Sequence, residues 1–322
     1  MPEWLIERGI GETRAAFVDS GEIVEARIEL DGTVPAGSVI KARLVNHGID
    51  GRNAIAVAEG STEYMLPNGA PGVAQGATVT IEVRREAIPG SEPWKLPLAR
   101  LTDQAPQTTR TLAERLSARE LAFPAARDEL GASGWDDLIE QARTGEITFA
   151  GGELRVSVTP AMTLIDVDGY LPPDELSVLG AGEAARAVRR LDIGGSTGID
   201  LPTSGSKSAR QAAARAIDAV LPKPFERTAV NGFGFIQLVR PRSRPSLAEL
   251  GQDRAPFEAR ALLRRAALHG SGKKRLVASP AVIAILQHRS EWIDTLSRQV
   301  GGAIALRADA NLPIFGGHVE PA

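Results

Sequence analysis

Between residues 13 and 85 no strand-like run of this chain exceeds eight residues before a turn-forming residue breaks it. The runs are 13–18, 23–30, 39–45, 53–58, 64–66 and 78–85, with Gly, Pro, Asn and Asp between them. A helix needs roughly ten residues or more to bury a face, so runs this short and this punctuated read as strands. Ser20-Gly21 between the first two marks a hairpin. The spacing through 36–100 predicts a small antiparallel barrel or sandwich.

Beyond residue 100 the period changes. Residues 101–110, LTDQAPQTTR, read as a linker, and 111–144 carry helical spacing through Leu112, Leu116, Leu121, Leu138 and Ile139. After a return to strands at 145–152, residues 153–170 read as two strands around Thr159-Pro160. A basic helix over 182–191 leads to a short strand, 193–202, that ends around Asp200. Residues 206–221 are amphipathic, with Ser208 and Gln211 spaced as a capping box. A strand at 233–239, a helix at 255–268 and an α/β piece at 276–319 follow. A β module followed by alternating strand and helix predicts an α/β (α+β) chain of several subdomains. The length, 322 residues, fits about two domains.

Hydrophobic residues make up 43%, enough for a sizeable core. Cysteine is absent, which removes disulfides, thiolate nucleophiles and cysteine-ligated zinc, and fits a reducing compartment. The N-terminus lacks the pattern of a signal peptide, and no apolar run approaches the ~18–20 residues of a membrane span. A cytoplasmic protein is expected. Net charge is −3, but residues 181–275 hold 18 Lys and Arg against 8 Asp and Glu. Such a segment suits a polyanion. Solvated faces on the arginine-rich helices explain it equally well.

The stretch TLIDVDGY, 163–170, sets Asp166 and Asp168 two apart in an apolar strand, hence on one face. Asp200 ends a second apolar strand just before a helix. Strand ends of this kind bind ligands in open α/β sheets. Carboxylates that converge there repel one another unless a hard cation sits between them, and Mg²⁺ is the usual ion. Aspartates at strand ends are also ordinary turn formers.

The block VTPAMTLIDVDG followed by AARAVRRLDIGGSTGIDLP resembles the catalytic core of the ribonuclease E and ribonuclease G family. The resemblance extends upstream to Gly151-Gly152-Glu153-Leu154 and downstream to Asn231-Gly232-Phe233-Gly234-Phe235 and RPRSRPSL at 240–247. Glu12 to Val18 resembles the family's opening strand, and 277–312 its small C-terminal domain. The resemblance implies a ribonuclease H-like subdomain from 1–34 plus 111–150 and an OB-fold RNA-binding domain at 35–100. It further implies a linker at 101–110, a deoxyribonuclease I-like catalytic subdomain at 151–252 and a small α/β domain at 253–322. It implies Mg²⁺, with Mn²⁺ as the alternative ion, held by Asp166 and Asp200. Asp168 joins them as a catalytic residue where the family has Asn. The implied reaction is hydrolysis of single-stranded RNA to 5′-phosphate and 3′-hydroxyl ends, in RNA processing or decay.

The chain departs from the family in four places. The 5′-end-sensing insertion has only 101–110 in its place. The zinc-link cysteines are absent, so no structural zinc is expected, and the state is a monomer or a zinc-independent dimer. Asp168 replaces Asn, and Gly232 replaces a basic residue, with Arg227 or Arg240 as substitutes. The RNA contacts expected are Tyr64, Lys95 and Arg100 in the barrel region and Arg189, Arg190, Lys207, Arg227, Arg240 and Arg242 beyond it. Trp94 is the other aromatic in 36–100. The alternative reading is a non-catalytic RNA-binding protein of the same family. A third is cleavage of another phosphodiester. Gly270 to Lys274 fails the phosphate-loop pattern at 267 and 274, and the four histidines lack ligand spacing.

Overall fold

The computed structural model describes residues 1–90 and 95–321; Trp94 lies outside the described residues. The chain forms two compact units from interleaved segments. The first takes Met1–Asp31, Leu112–Arg143 and Leu250–Ala322, and the second Gly32–Thr111 and Thr144–Glu249. Elements are numbered in chain order.

The first unit opens with an antiparallel meander, β1 (Glu3–Arg8), β2 (Glu12–Asp19) and β3 (Glu22–Leu30). Ser20 and Gly21 both have positive φ, the two-residue hairpin turn whose twist matches its strands. β1 breaks simple alternation: Leu5, Ile6 and Glu7 are all buried. The expected helix over 111–144 is interrupted. α1 (Leu112–Leu116) stops before Ser117, at φ 50°, and β9 (Arg119–Leu121) pairs parallel with β1. Pro124 then bars Phe123 from helical backbone. The Asp128 carboxylate accepts the Gly131 N–H to cap α2 (Glu129–Ala132), and α3 (Trp135–Thr144) follows. The sheet order is β3-β2-β1-β9.

The rest of this unit comprises α7 (Arg254–Leu268), β16 (Lys274–Ala278), α8 (Pro280–His288), α9 (Ser290–Val300), β17 (Ile304–Ala308) and β18 (His318–Pro321). Leu262, Leu263 and Ala266 of α7 pack with Leu276, Ile283, Leu286, Leu296 and Val300. Charges are also buried here. Glu7 accepts from Arg14 at 2.6 Å and Arg264 at 2.9 Å; Glu12 accepts from Arg14 at 2.7 Å and Arg260 at 2.8 Å. Removing one partner would strand a buried charge, which costs far more than the pair contributes.

The second unit contains a closed five-stranded barrel. β4 (Val39–Asn46), β5 (Ala54–Ala58), β6 (Glu63–Leu66), β7 (Thr78–Arg85) and β8 (Leu98–Leu101) close in the order β4-β5-β6-β8-β7. Leu44, Leu66, Ile81, Val83 and Ala99 fill it. This is the barrel of the two expected alternatives, and it is compatible with an OB fold. β8, four residues long, was not among the expected runs.

The second unit also carries a six-stranded mixed sheet. Its strands are β10 (Glu146–Phe149), β11 (Gly152–Val158), β12 (Thr163–Gly169), β13 (Gly195–Asp200), β14 (Glu226–Arg227) and β15 (Phe235–Arg240), in the order β10-β11-β12-β13-β15-β14. β12 and β13 are parallel and joined by α4 (Pro173–Arg190); the other pairs are antiparallel. α4 starts nine residues before the expected basic helix, with Pro173 at its first position and Asp174 and Glu175 in its first turn. Gly180 lets α4 close on β12: a Cβ there would lie 2.3 Å from Val167 Cγ1. α5 (Lys207–Val220) is capped by Ser206, whose hydroxyl accepts the Ala209 N–H, not by Ser208 as expected. α6 (Leu247–Gln252) leads the chain back to the first unit. Among the described residues no helix is long and apolar enough to cross a membrane.

Candidate carboxylate site at the strand ends

β12 buries Thr163, Ile165 and Val167 and turns Leu164, Asp166 and Asp168 outward. Period-two geometry therefore puts both aspartates on the uncovered face, not in the core. The parallel register sets Asp166 directly beside Asp200 on β13. Neighbouring strands run about 4.8 Å apart, so the two carboxylates can reach one small ion. Both strands end here, and the α4 and α5 N-termini follow each of them.

The three aspartates line one cavity of about 550 Å³ with Gly169, Leu171, Pro173, Leu201, Pro202, Thr203 and Phe233. No basic side chain lines it among the described residues. The pKa of Asp166 is raised, first by its partial burial in the wall, then by the charges of Asp168 and Asp200. Arg155, its neighbour on β11, pulls the other way but is also paired with Glu146 and Glu153 at 3.0 Å. Two further ties brace the floor: Ser177 donates to the Pro202 carbonyl at 2.8 Å, and Ser204 bonds to Asp174.

Does a metal fit? Among the described residues no three His, Cys, Asp or Glu side chains lie close enough to hold an ion. Asp166 and Asp200 instead offer a two-carboxylate seat in a cavity without cations. Mg²⁺ commonly takes one or two carboxylates and fills its octahedron with waters and phosphate oxygens.

The expected RNA contacts fare unevenly. Tyr64 is 2% exposed in the barrel core, so its ring offers no face to a base. Burial pushes its hydroxyl pKa up. Arg100 is exposed but holds Glu82 at 2.6 Å, and Lys95 donates to the Pro160 carbonyl at 2.8 Å. Arg227 grips Asp218 with two nitrogens, at 2.8 and 2.5 Å. Arg240 donates to the Ile193 carbonyl at 2.8 Å, and Arg242 pairs with Glu249. Both Arg227 and Arg240 are thus already engaged within the fold. Arg189 and Arg190 occupy the last turn of α4, where cations favour the helix dipole. Lys207 is exposed at the first turn of α5.

The barrel carries cations that the sequence reading passed over. Lys41 and Arg43 point outward from β4, and Arg52 lies in the following loop; all three are exposed. Their side chains form no ion pair among the described residues. Strand alternation was the signal: in VIKARLVN the apolar residues at 39, 42 and 44 go inward and the bases outward. Compared with known proteins, no family model matches this chain and no curated protein matches it significantly.

Proposed function

We propose that this chain is a Mg²⁺-dependent endoribonuclease of the ribonuclease E and G type, acting on single-stranded RNA. The observation that carries the reading is the register pairing of Asp166 with Asp200 at adjacent parallel strand ends, in a cavity lined by carboxylates and no bases. A phosphodiester brought there without a cation meets only repulsion. When bound, a divalent ion supplies the Lewis acidity that neutralises a phosphate and activates water. Asp166 and Asp200 would hold it. Asp168, on the same face, adds negative charge that favours the cation and raises the proton affinity of Asp166. Lys41, Arg43, Arg52 and Lys207 are the exposed cations suited to the RNA backbone. The barrel supports an OB-fold RNA-binding domain. The four-stranded and six-stranded sheets are the support for ribonuclease H-like and deoxyribonuclease I-like parts.

The second reading, a non-catalytic RNA-binding protein, draws on the exposed cations of the barrel. Cleavage of a labelled single-stranded RNA with Mg²⁺ decides between them. The Asp166→Asn/Asp200→Asn protein should cleave at least about 100-fold more slowly than wild type, equal to about 2.7 kcal/mol of transition-state stabilisation. Equal rates would leave the binding-protein reading standing.

A further inference from the structure

Phe233 lines the carboxylate cavity, and the chemistry above gives it no task. It is 82% exposed, a placement that stabilises nothing within the fold. Yet its backbone is fixed. The Asn231 side-chain oxygen accepts the N–H groups of Phe233 at 2.9 Å and Phe235 at 3.0 Å. Thr203 donates to the Phe233 carbonyl at 3.2 Å. Gly234 donates to the Asn231 carbonyl at 3.2 Å and accepts from Leu201 at 3.3 Å. Gly234 has φ +95°, and a Cβ there would sit 2.1 Å from the Leu201 oxygen. A loop tip that merely happened to carry an aromatic would not be held by three bonds within 231–235 and two more to Leu201 and Thr203, just past Asp200. Tyr170 makes the contrast: it is 83% exposed but does not line the cavity.

We propose that Phe233 is a stacking platform for one unpaired nucleobase of the RNA whose phosphate is placed at Asp166 and Asp200. The inference rests on the nuclease reading for the identity of its ligand. A base offers a flat π face to the ring, and every base has one, so stacking holds the strand without reading its sequence. The cavity volume lies in the range of small-ligand sites and leaves room for a nucleotide beside the carboxylates. A platform acting in the bound ground state affects KM and leaves kcat nearly unchanged. Loss of one stacked base should weaken binding roughly 5- to 150-fold.

The test uses the full chain and single-stranded oligoribonucleotides that carry 2-aminopurine, or an abasic sugar, at successive positions. Binding is read by fluorescence with Ca²⁺ in place of Mg²⁺, so that a hard cation is present at the carboxylates, and cleavage in Mg²⁺. Wild type should quench 2-aminopurine at one position; Phe233→Ala should abolish the quench and raise KM by that factor. Phe233→Trp should keep both, and Tyr170→Ala should change neither. An abasic sugar at the quenched position should cost wild type the same factor and cost Phe233→Ala nothing further. The wild-type abasic result needs no variant to fold. Cleavage without any Phe233-dependent quench, or equal abasic penalties in wild type and Phe233→Ala, would overturn the platform and leave the nuclease standing. A Phe233-dependent quench without any cleavage would sink the nuclease and leave the platform.

Discussion

Asp166 and Asp168 lie two residues apart on one strand; Asp166 faces Asp200 across the parallel register, and Asp168 faces Glu153 across the antiparallel one. Its pKa rises through partial burial, Asp168 and Asp200, in that order. A carboxyl that binds its proton more tightly when folded helps the fold at low pH. That help is lost as pH rises through the raised folded value. The contribution of Asp166 in the metal-free protein should therefore fade as pH climbs from about 4 towards 7, so Asp168→Asn should become more stable relative to wild type across that range; the difference in thermal unfolding between the two proteins checks it. Carbon-13 titration should show the Asp166 pKa falling in Asp200→Asn. Gly234→Ala should cost roughly 1–3 kcal/mol in urea unfolding, because its φ is positive and the Leu201 carbonyl blocks a Cβ. The aspartates were legible from sequence because a period of two fixes which face each residue takes. Phe233 was not: its exposure depends on Asn231, Gly234 and Thr203, the last of them thirty residues away.

Elements with a clean period were readable, and those decided by tertiary contact were not. The amphipathic stretch at 206–221 became α5 almost residue for residue. Its cap moved because Ser206, with extended backbone, is placed to take the Ala209 N–H, while Ser208 lies inside the first turn. Ser206→Ala should accordingly cost about 1 kcal/mol and Ser208→Ala under about 0.5 kcal/mol, by denaturant midpoint. The region 111–144 failed as one helix because β9 gains ladder bonds to β1 that local spacing cannot announce. Tyr64 failed as a platform for a like reason. Its strand alternates inward at that position, and the closure of the barrel, not the residue, decides that inside means buried.

At the scale of the molecule the basic segment 181–275 dissolves. It is shared between both units, and the second unit holds 20 Lys and Arg against 19 Asp and Glu. Much of the surplus is spent internally, as in Arg260 and Arg264 with Glu12 and Glu7. RNA affinity should thus depend on a few exposed bases. Lys41→Ala/Arg43→Ala should shallow the slope of log K against log salt by about 1.4, from about 0.7 per phosphate on a single strand. Arg227→Ala should barely change it, since Asp218 already neutralises that guanidinium. The same interleaving bears on biosynthesis. Glu12 leaves the ribosome 248 residues ahead of Arg260, the partner that shares its burial. At ~5–20 residues per second that is a wait of roughly 12–50 s. During it, the opening hairpin carries Glu7 and Glu12 with Arg14 as their partner but without Arg260 and Arg264. The first segment made is among the last to reach its final surroundings, and the barrel encoded after it has time to close first.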